Sequence, residues 1–208
     1  MTKKEELLII FAKVPELGKA KTRLAADIGN EQALEIYRKL LAHTRRATLP
    51  LPQDKIVYYT PYIDTDDEWN TAHFQKALQP KGDLGERMRY AVEQGFSQGY
   101  DRICIIGTDC LDLTTAHLEE AFVALKNHDV VLGASQDGGY YLLGMSQLYS
   151  DLFVNKAWST ESVADDTRAD VSRLNLSLHE LPVLNDIDTL DDLRQSPLGE
   201  EYLQQLIR

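Results

Sequence analysis

Short apolar runs alternate with longer amphipathic stretches along most of the chain, and this alternation limits the fold more than any other feature. The apolar runs predict strands at Leu7–Ala12, Lys55–Thr60, Arg102–Ile106, Asp129–Ala134, Tyr140–Met145 and Leu176–Leu181. The amphipathic stretches predict helices at Glu31–Thr48, Leu84–Gln98, Thr114–Lys126, Ser162–Asn175 and Leu190–Arg208. Continuously apolar strands are typical of sheets that are covered on both faces. Strand–helix–strand repetition therefore predicts an α/β fold with a mostly parallel sheet flanked by helices.

Two segments interrupt this alternation. Only five residues, two of them glycines, separate Asp129–Ala134 from Tyr140–Met145. A crossover helix needs a longer connection, so these strands are either antiparallel neighbours or members of different sheets. The polar stretch Tyr62–Thr71 predicts a surface loop or a short acidic helix with a solvated face.

The length of 208 residues suits a single domain over residues 1–208. No apolar run approaches the roughly 20 residues that span a bilayer. The first run, Leu7–Ala12, lies between lysines and lacks the small-residue cleavage site of a signal peptide, so it predicts a buried strand. We therefore expect a cytoplasmic protein without a membrane span.

The net charge of the chain limits the classes of molecule that it is expected to bind. The net charge is −11, from 33 acidic and 22 basic residues. A protein that binds duplex nucleic acid normally carries the opposite balance, so we expect no nucleic-acid partner. A phosphorylated small molecule is compatible with this negative charge, because a bound divalent cation inverts the local field.

Cys104 and Cys110 lie too far apart along one predicted strand for a disulfide, so both are expected to be reduced.

A basic loop follows the first predicted strand. Within eleven residues of an otherwise acidic chain it carries Lys13, Lys19, Lys21 and Arg23. Ligands of open α/β sheets bind outside the carboxyl ends of strands, and lysine and arginine both suit a polyphosphate. Gly18 permits close approach of the backbone to a ligand, but neither a P-loop nor a dinucleotide glycine motif is present. Charge alone favours a phosphate-binding loop and an ordinary basic surface loop about equally.

Asp109 directly follows the apolar strand Arg102–Ile106, at the same predicted sheet edge as the basic loop. Mg²⁺ and Mn²⁺ take one or two protein carboxylates together with substrate phosphate oxygens. This position predicts a metal ligand at Asp109. Asp112 has an equally good structural explanation, since with Thr114 and Thr115 it would cap the following helix.

Two further acidic segments are ambiguous. Asp137-Gly138-Gly139-Tyr140-Tyr141 joins two predicted strands, and its residues slightly favour a plain hairpin turn over a ligand-binding segment. Successive strand residues face opposite sides, so one tyrosine is predicted to lie in the core and the other to face a cleft. Asp186 to Asp192 precede and begin a predicted helix, where capping by Asp188 or Thr189 explains the carboxylates. Spacing alone therefore assigns no function to Asp186 or Asp188.

Six ordered segments together resemble a known family. They are Phe-Ala-Lys-x-Pro-x-x-Gly-x-x-Lys-Thr-Arg-Leu from Phe11, Gly82-Asp83-Leu84-Gly85-Glu86-Arg87-Met88, Gly107-Thr108-Asp109-Cys110, Asp137-Gly138-Gly139-Tyr140-Tyr141, Trp158-Ser159-Thr160 and Asp186-Ile187-Asp188-Thr189. This set resembles the cofC-like glycosyltransferases, also called radical-SAM/selenodomain-associated or arsenosugar-biosynthesis glycosyltransferases. The resemblance covers about Leu7 to Arg194 and implies a GT-A-like fold of the nucleotide-diphospho-sugar transferase superfamily.

The resemblance also implies nucleotide-binding residues. Lys13, Lys21 and Arg23 of the basic loop would hold the nucleotide phosphates. Gly82 and Arg87 would belong to a loop that covers the nucleotide.

Metal and substrate roles follow from the same resemblance. Asp109 would bind Mg²⁺ or Mn²⁺, and Asp188, or alternatively Asp186, would supply a second carboxylate. The segment from Asp137 to Tyr140 would line the sugar or acceptor pocket through Gly138, Gly139 and Tyr140. Asp109 and Asp137 would be the catalytic residues.

Three functions fit this reading. The leading hypothesis is a metal-dependent glycosyltransferase that takes a nucleotide-diphospho-sugar and a small-molecule acceptor. The alternative enzyme is a guanylyltransferase-like nucleotidyltransferase, in which a phosphorylated acceptor attacks a nucleoside triphosphate and pyrophosphate leaves. A non-catalytic nucleotide-binding module is the third hypothesis. The sequence does not indicate the base, the sugar, the acceptor or the oligomeric state.

Overall fold

One seven-stranded sheet forms the centre of the protein, whose computed structural model describes residues 4–206. The strands are β1 (Lys4–Lys13), β2 (Asp54–Thr60), β3 (Gln75–Leu78), β4 (Tyr100–Ile106), β5 (Val130–Ala134), β6 (Tyr140–Met145) and β7 (Leu178–Glu180). Their order across the sheet is β3-β2-β1-β4-β6-β5-β7. Strand β6 is antiparallel to both of its neighbours, β4 and β5, while the remaining pairs are parallel. The predicted mostly parallel sheet is confirmed.

Helices connect these strands and cover the sheet. They are α1 (Thr22–Ile28), α2 (Asn30–Thr48), α3 (Leu84–Ser97), α4 (Thr115–Ala124), α5 (Val163–Arg173), α6 (Leu190–Gln195) and α7 (Pro197–Leu206), with a 3-10 helix at Ser150–Phe153. Within residues 4–206, no helix is both long and apolar enough to cross a membrane.

The core has two layers because both faces of the sheet are apolar. Alternate residues of β1 point to opposite sides: Leu8 packs in one buried cluster with Phe122 of α4, and Leu7 packs in the other with Met88 of α3. Val171 of α5 belongs to the same cluster as Leu7. Strands buried on both sides explain the continuous apolar runs in the sequence.

A third cluster attaches the end of the chain to the beginning. Leu24 of α1, Ile36 and Leu40 of α2, Ile187 and Leu193 bury their side chains against one another. This packing brings the segment before α6 next to the loop that follows β1. Two stretches that are more than 160 residues apart therefore meet at one edge of the sheet.

Several local expectations are corrected. The predicted helix Leu190–Arg208 is two helices, because the backbone of Ser196 is extended and Pro197 starts α7. At the first position of a helix the missing N–H of proline costs no hydrogen bond. Ile207 and Arg208 lie outside the described residues. The sequence reading missed β3, whose side chains are only partly buried, and the short helix α1. The stretch Tyr62–Thr71 forms turns and bends, which agrees with the surface-loop alternative and not with the short helix.

Candidate active site

A cleft of about 450 Å³ opens at the sheet edge where β1, β2 and β4 end and β6 begins. This volume lies within the range of ligand pockets in proteins. Its polar lining includes Lys21, Arg23, Asp109, Asp186 and Asp188. The basic loop and the predicted metal ligand thus meet in one cavity, at the carboxyl ends of parallel strands.

Lys21 lies at the centre of the charged lining. Its Nζ is 2.6 Å from Oδ1 of Asp109 and 2.8 Å from Oδ1 of Asp188, and only 4% of its side chain is exposed. Burial disfavours the charged amine, but the two carboxylates outweigh burial and raise the pKa of Lys21 above its usual value. Lys21 is therefore a buried ammonium ion bracketed by two carboxylates.

Arg23 completes this group from the solvent side. Its Nη2 lies 2.5 Å from Oδ2 of Asp188, the oxygen that Lys21 does not contact, and its side chain is 69% exposed. Burial acts to raise the pKa of Asp188, but Lys21 and Arg23 overcome it and hold that pKa below its usual value. Asp188 is therefore ionised between two cations.

Main-chain pairing explains why these acidic residues meet. Cys110 and Asp186 form an isolated antiparallel bridge, and the Ile187 N–H donates to the Asp109 carbonyl over 3.0 Å. The helix cap belongs to Thr189, whose hydroxyl accepts from the Asp192 N–H, so the side chain of Asp188 is free for Lys21. The capping explanation thus applies to Thr189 and leaves Asp188 to the cleft.

Asp186 differs from Asp188 in its surroundings. It accepts a hydrogen bond from the Ser135 hydroxyl over 2.9 Å. Burial, and after it the negative charge of Asp109, raises the pKa of Asp186 to about 7. Of the two late carboxylates, Asp188 is the one in contact with a cation.

Tyr37 of α2 is a site residue that the sequence reading missed. Its buried hydroxyl donates to the Lys13 carbonyl and accepts from the Lys13 N–H, both over 2.9 Å, and lies 3.5 Å from Oγ1 of Thr108. Burial, followed by the charge of Asp109, raises the pKa of Tyr37 to about 12. The neutral phenol therefore links the ends of β1 and β4. Tyr37 lies on an ordinary amphipathic helix, so no local sequence signal marks it.

Apolar side chains form one wall of the cleft. This wall contains Phe11, Leu84, Met88, Ile105 and Tyr140. The Tyr140 ring packs edge-on against the ring of Trp158, with centroids 6.5 Å apart, and its hydroxyl contacts the Met88 sulfur over 3.7 Å. These contacts hold the ring of Tyr140 in place.

The neighbouring Tyr141 also lines the cleft, contrary to the expectation that only one tyrosine of the pair would do so. The two rings do belong to opposite core layers, and the Tyr141 hydroxyl donates to the Pro182 carbonyl over 2.9 Å. Both rings reach the cavity because it lies beyond the end of the strand, where side chains from either face of the sheet can line it.

The Asp137 turn lies outside the cleft lining. Oδ1 of Asp137 accepts from the Gly139 N–H over 3.0 Å, which closes the turn between β5 and β6. Gly138 has a φ of +83°, and a Cβ there would lie 1.9 Å from the Glu161 carbonyl oxygen. Its missing side chain therefore makes room for the protein's own backbone. Substrate contacts by Asp137, Gly138 and Gly139 stay predictions.

The other predicted nucleotide-binding residues differ in their relation to the cleft. Gly82 and Arg87 do not line the cleft. Arg87 donates a hydrogen bond to the side chain of Gln79, and Gln79 does line it. The Lys13 side chain is exposed, lines the cleft, and donates to the carbonyl of Lys19. Lys13 is thus a lining residue and Arg87 contacts one, whereas Gly82 precedes the capping residue of α3.

The donor set fits a hard divalent cation in part. Residues 4–206 contain no group of three His, Cys, Asp or Glu side chains arranged to hold a metal ion. Asp109 and Asp188 nevertheless hold one cationic centre, the Lys21 ammonium, between their oxygens. Magnesium sites with one or two carboxylates and substrate phosphates need no third protein ligand.

Comparison with solved structures supports the fold and the class. A nucleotide-diphospho-sugar transferase, provisionally named so, from Desulfovibrio desulfuricans G20 is 31% identical, with a TM-score of 0.85 over 97% of this chain and 95% of that chain. The inositol-1-phosphate CTP transferase from T. maritima is 12% identical, with a TM-score of 0.62 over 97% and 96%. The 4-diphosphocytidyl-2C-methyl-D-erythritol synthase from Anaerococcus prevotii DSM 20548 is also 12% identical, with a TM-score of 0.61 over 97% and 96%. The last two likenesses show the fold alone.

The fold is thus that of the nucleotide-diphospho-sugar transferase superfamily, and the 31% identical neighbour carries the name of a transferase, in agreement with the predicted class. Residues 44–160 match the model of the family described as "Uncharacterized protein conserved in bacteria (DUF2064)". The chain belongs to this family. No curated protein matches the sequence.

Proposed function

We propose that this protein is a metal-dependent glycosyltransferase of the cofC-like type, which uses a nucleotide-diphospho-sugar as donor. The neighbours support the broader class, a nucleotide-sugar transferase or a nucleotidyltransferase. The single domain over residues 1–208 and the cytoplasmic location belong to the same proposal.

One observation carries the proposal: Lys21 and Arg23 share a cleft with Asp109 and Asp188. Two neighbouring cationic side chains can bind a diphosphate. Two carboxylates can bind a metal cation that neutralises the charge of the diphosphate. Either group alone is common on protein surfaces. Their convergence in a cavity at the strand ends supports a site for a nucleotide diphosphate.

Asp109 and Asp188 would hold the divalent metal ion. When bound, Mg²⁺ or Mn²⁺ supplies charge that stabilises the departing nucleoside diphosphate. Arg23, largely exposed at the mouth, would bind the phosphate group first. Tyr37 would keep the basic loop in register with the Asp109 loop. The apolar wall around Tyr140 would exclude water from one side of the transferred group.

A binding experiment tests the nucleotide site. Lys21→Ala and Arg23→Ala should weaken binding of nucleoside diphosphates by about 10- to 100-fold, since each removes a charge-assisted hydrogen bond. Binding of the corresponding nucleosides should hardly change. Thermal shift and calorimetry with each base, with and without Mg²⁺, measure both ligands. Equal weakening of nucleoside and nucleoside diphosphate would assign the loop a structural role instead.

Product analysis separates the proposed reaction from its alternatives. Nucleoside diphosphate as product marks glycosyl transfer, whereas pyrophosphate marks nucleotidyl transfer from a nucleoside triphosphate. A panel of nucleotide sugars and triphosphates, with Mg²⁺ or Mn²⁺ and mixed acceptors, tests both reactions together. Tight nucleotide binding without turnover across the panel would favour a non-catalytic binding module.

A further inference from the structure

The ammonium of Lys21 occupies the position between the two proposed metal-binding carboxylates. We propose that Lys21 is a tethered cation that pairs Asp109 with Asp188 when the cleft is empty and is exchanged for a divalent cation when the nucleotide enters. This inference rests on the proposed function for the identity of the ligand. It assigns Lys21 two successive partners, the carboxylates first and the phosphates second.

The geometry makes the two cations competitors. Lys21 Nζ contacts Oδ1 of Asp109 at 2.6 Å and Oδ1 of Asp188 at 2.8 Å. A magnesium ion needs carboxylate oxygens at about 2.0–2.1 Å. An ion bound to these same two oxygens would lie against the ammonium of Lys21, whose side chain is only 4% exposed, so the two positive charges would repel each other. Metal binding therefore requires the side chain of Lys21 to move.

The four charged groups that contact one another around Lys21 balance each other's charge. Asp109 and Asp188 carry two negative charges, and Lys21 and Arg23 carry two positive charges beside them. A nucleoside diphosphate that enters together with a divalent cation brings negative charge, which the displaced ammonium can contact. The exchange therefore leaves none of these four groups without a partner.

Lys21 is also suited to a change of partner by its place in the chain. It directly precedes α1 and has a left-handed backbone conformation, with φ 48° and ψ 49°. Residues other than glycine, asparagine and aspartate rarely adopt this conformation. Such conformations are retained where the surrounding structure requires them, often at functional sites. The ammonium lies at the end of a flexible four-carbon chain and can reach a new partner without moving the backbone.

Arg23 provides the matched comparison. It contacts the same Asp188 but uses Oδ2, and no ion pair joins it to Asp109 in the described part of the chain. Removing Arg23 takes one positive charge from the cleft while the position between the two carboxylates stays filled. Removing Lys21 takes the same charge and empties that position.

The test measures binding of Mn²⁺ alone, without nucleotide, by electron paramagnetic resonance of the free ion. Lys21→Met should lower the Kd for Mn²⁺ by about tenfold or more, because two carboxylates lose their internal cation. Arg23→Gln should change this Kd by no more than about threefold, since it removes charge from an exposed position. Unchanged or weaker Mn²⁺ binding by Lys21→Met would overturn the exchange.

A second variant locates the ion and guards against misfolding. Adding Asp188→Asn to Lys21→Met should cancel the gain in Mn²⁺ affinity, and a gain that persists would overturn the proposed position. Lys21→Gln, which keeps a polar side chain of similar length, should also tighten Mn²⁺ binding if Lys21→Met is too unstable to measure. Circular dichroism establishes that each variant is folded.

The outcome is separable from that of the proposed function. If Lys21→Met tightens Mn²⁺ binding but no nucleotide binds the wild type, the competition between Lys21 and metal stands and the nucleotide function fails. If nucleotides bind and Lys21→Met does not tighten Mn²⁺ binding, the exchange alone fails. Under the proposal, the same variant binds metal more tightly and nucleoside diphosphate more weakly.

Discussion

Asp109 and Asp137 occupy similar places in the sequence but have different surroundings. Both lie in glycine-containing loops beside a buried strand, at the same edge of the sheet. The Asp109 carboxylate contacts Lys21, 88 positions away along the chain, and lines the cleft. The Asp137 carboxylate accepts a hydrogen bond from Gly139, two residues away, and is not part of the lining.

The partner of a carboxylate distinguishes one that shapes the chain from one that is available for chemistry. A local partner, such as the Gly139 N–H, satisfies Asp137 within its own turn and needs no other element. A distant cationic partner requires the whole fold to bring the pair together. Asp109 has such a partner, and 41% of its side chain remains exposed to solvent and ligand.

The largest effect should come from Asp109→Asn, which keeps the size of the side chain and removes its charge. Turnover should fall about 1,000-fold, the loss expected when transition-state charge stabilisation is removed. Nucleotide affinity should lose its dependence on Mg²⁺ or Mn²⁺, while Lys21 keeps Asp188 and the protein stays folded. Steady-state kinetics and titrations with and without metal measure both effects. Wild-type metal dependence in this variant would contradict the assignment.

Gly138→Ala should act on stability rather than on the site. Its Cβ would lie 1.9 Å from the Glu161 carbonyl oxygen at a φ of +83°, so we expect the free energy of unfolding to fall by about 3 kcal/mol. Gly99→Ala is the matched control, because Gly99 has a φ of +91° and open space around its Cβ position. It reports backbone strain alone, about 1 kcal/mol. Chemical denaturation measures both variants.

Nucleotide affinity of the folded Gly138→Ala protein should match the wild type. A selective loss of affinity, with stability retained, would move the Asp137 turn into the binding site. The comparison between the two aspartates would then be wrong.

Tyr37→Phe should have an intermediate effect on the cleft. It removes the hydroxyl that holds both main-chain groups of Lys13, so the free energy of unfolding should fall by about 1–2 kcal/mol. Affinity for a nucleoside diphosphate should fall about fivefold, because the basic loop loses a fixed attachment. Tyr100→Phe is the control: its buried hydroxyl donates to Asp54 at the opposite sheet edge, so only stability should fall. Unchanged affinity in Tyr37→Phe would limit Tyr37 to a structural role.

The sequence predicted the fold well because the fold depends on patterns within each element. Buried strands such as β1 and β4 are continuously apolar, and the helices between them are amphipathic. Two elements without such a pattern were not predicted: β3 is a partly exposed edge strand, and α1 has only seven residues. The break before Pro197 was missed although proline is a frequent first residue of a helix.

The site was predictable only as far as its residues carry local signals. The charge of the basic loop and the position of Asp109 after a strand are such signals. The choice between Asp186 and Asp188 depends on the pairing of Cys110 with Asp186, a contact over 76 positions that no spacing rule reveals. Tyr37 depends in the same way on packing between α2 and the ends of two strands.

The smallest effect should come from Asp137→Asn, which makes at Asp137 the same change that disables Asp109. The asparagine side-chain oxygen can still accept from the Gly139 N–H, so the turn should remain closed. The lost charge acts on the cleft only at a distance, because burial and the charge of Asp109 raise the pKa of Asp186 more than the charge of Asp137 does. Turnover, nucleotide affinity and melting temperature should therefore stay close to wild type, with rates within about twofold.

Asp137→Ala separates the remaining explanations, because it removes the hydrogen bond as well as the charge. It should lower the free energy of unfolding by about 1 kcal/mol and leave the turnover of the folded protein unchanged. A loss of turnover of about 100-fold in Asp137→Asn, with the melting temperature retained, would instead support the catalytic role that the family resemblance implies. Asp137 would then have to leave its turn when substrate binds, because in the present structure its carboxylate is engaged by Gly139.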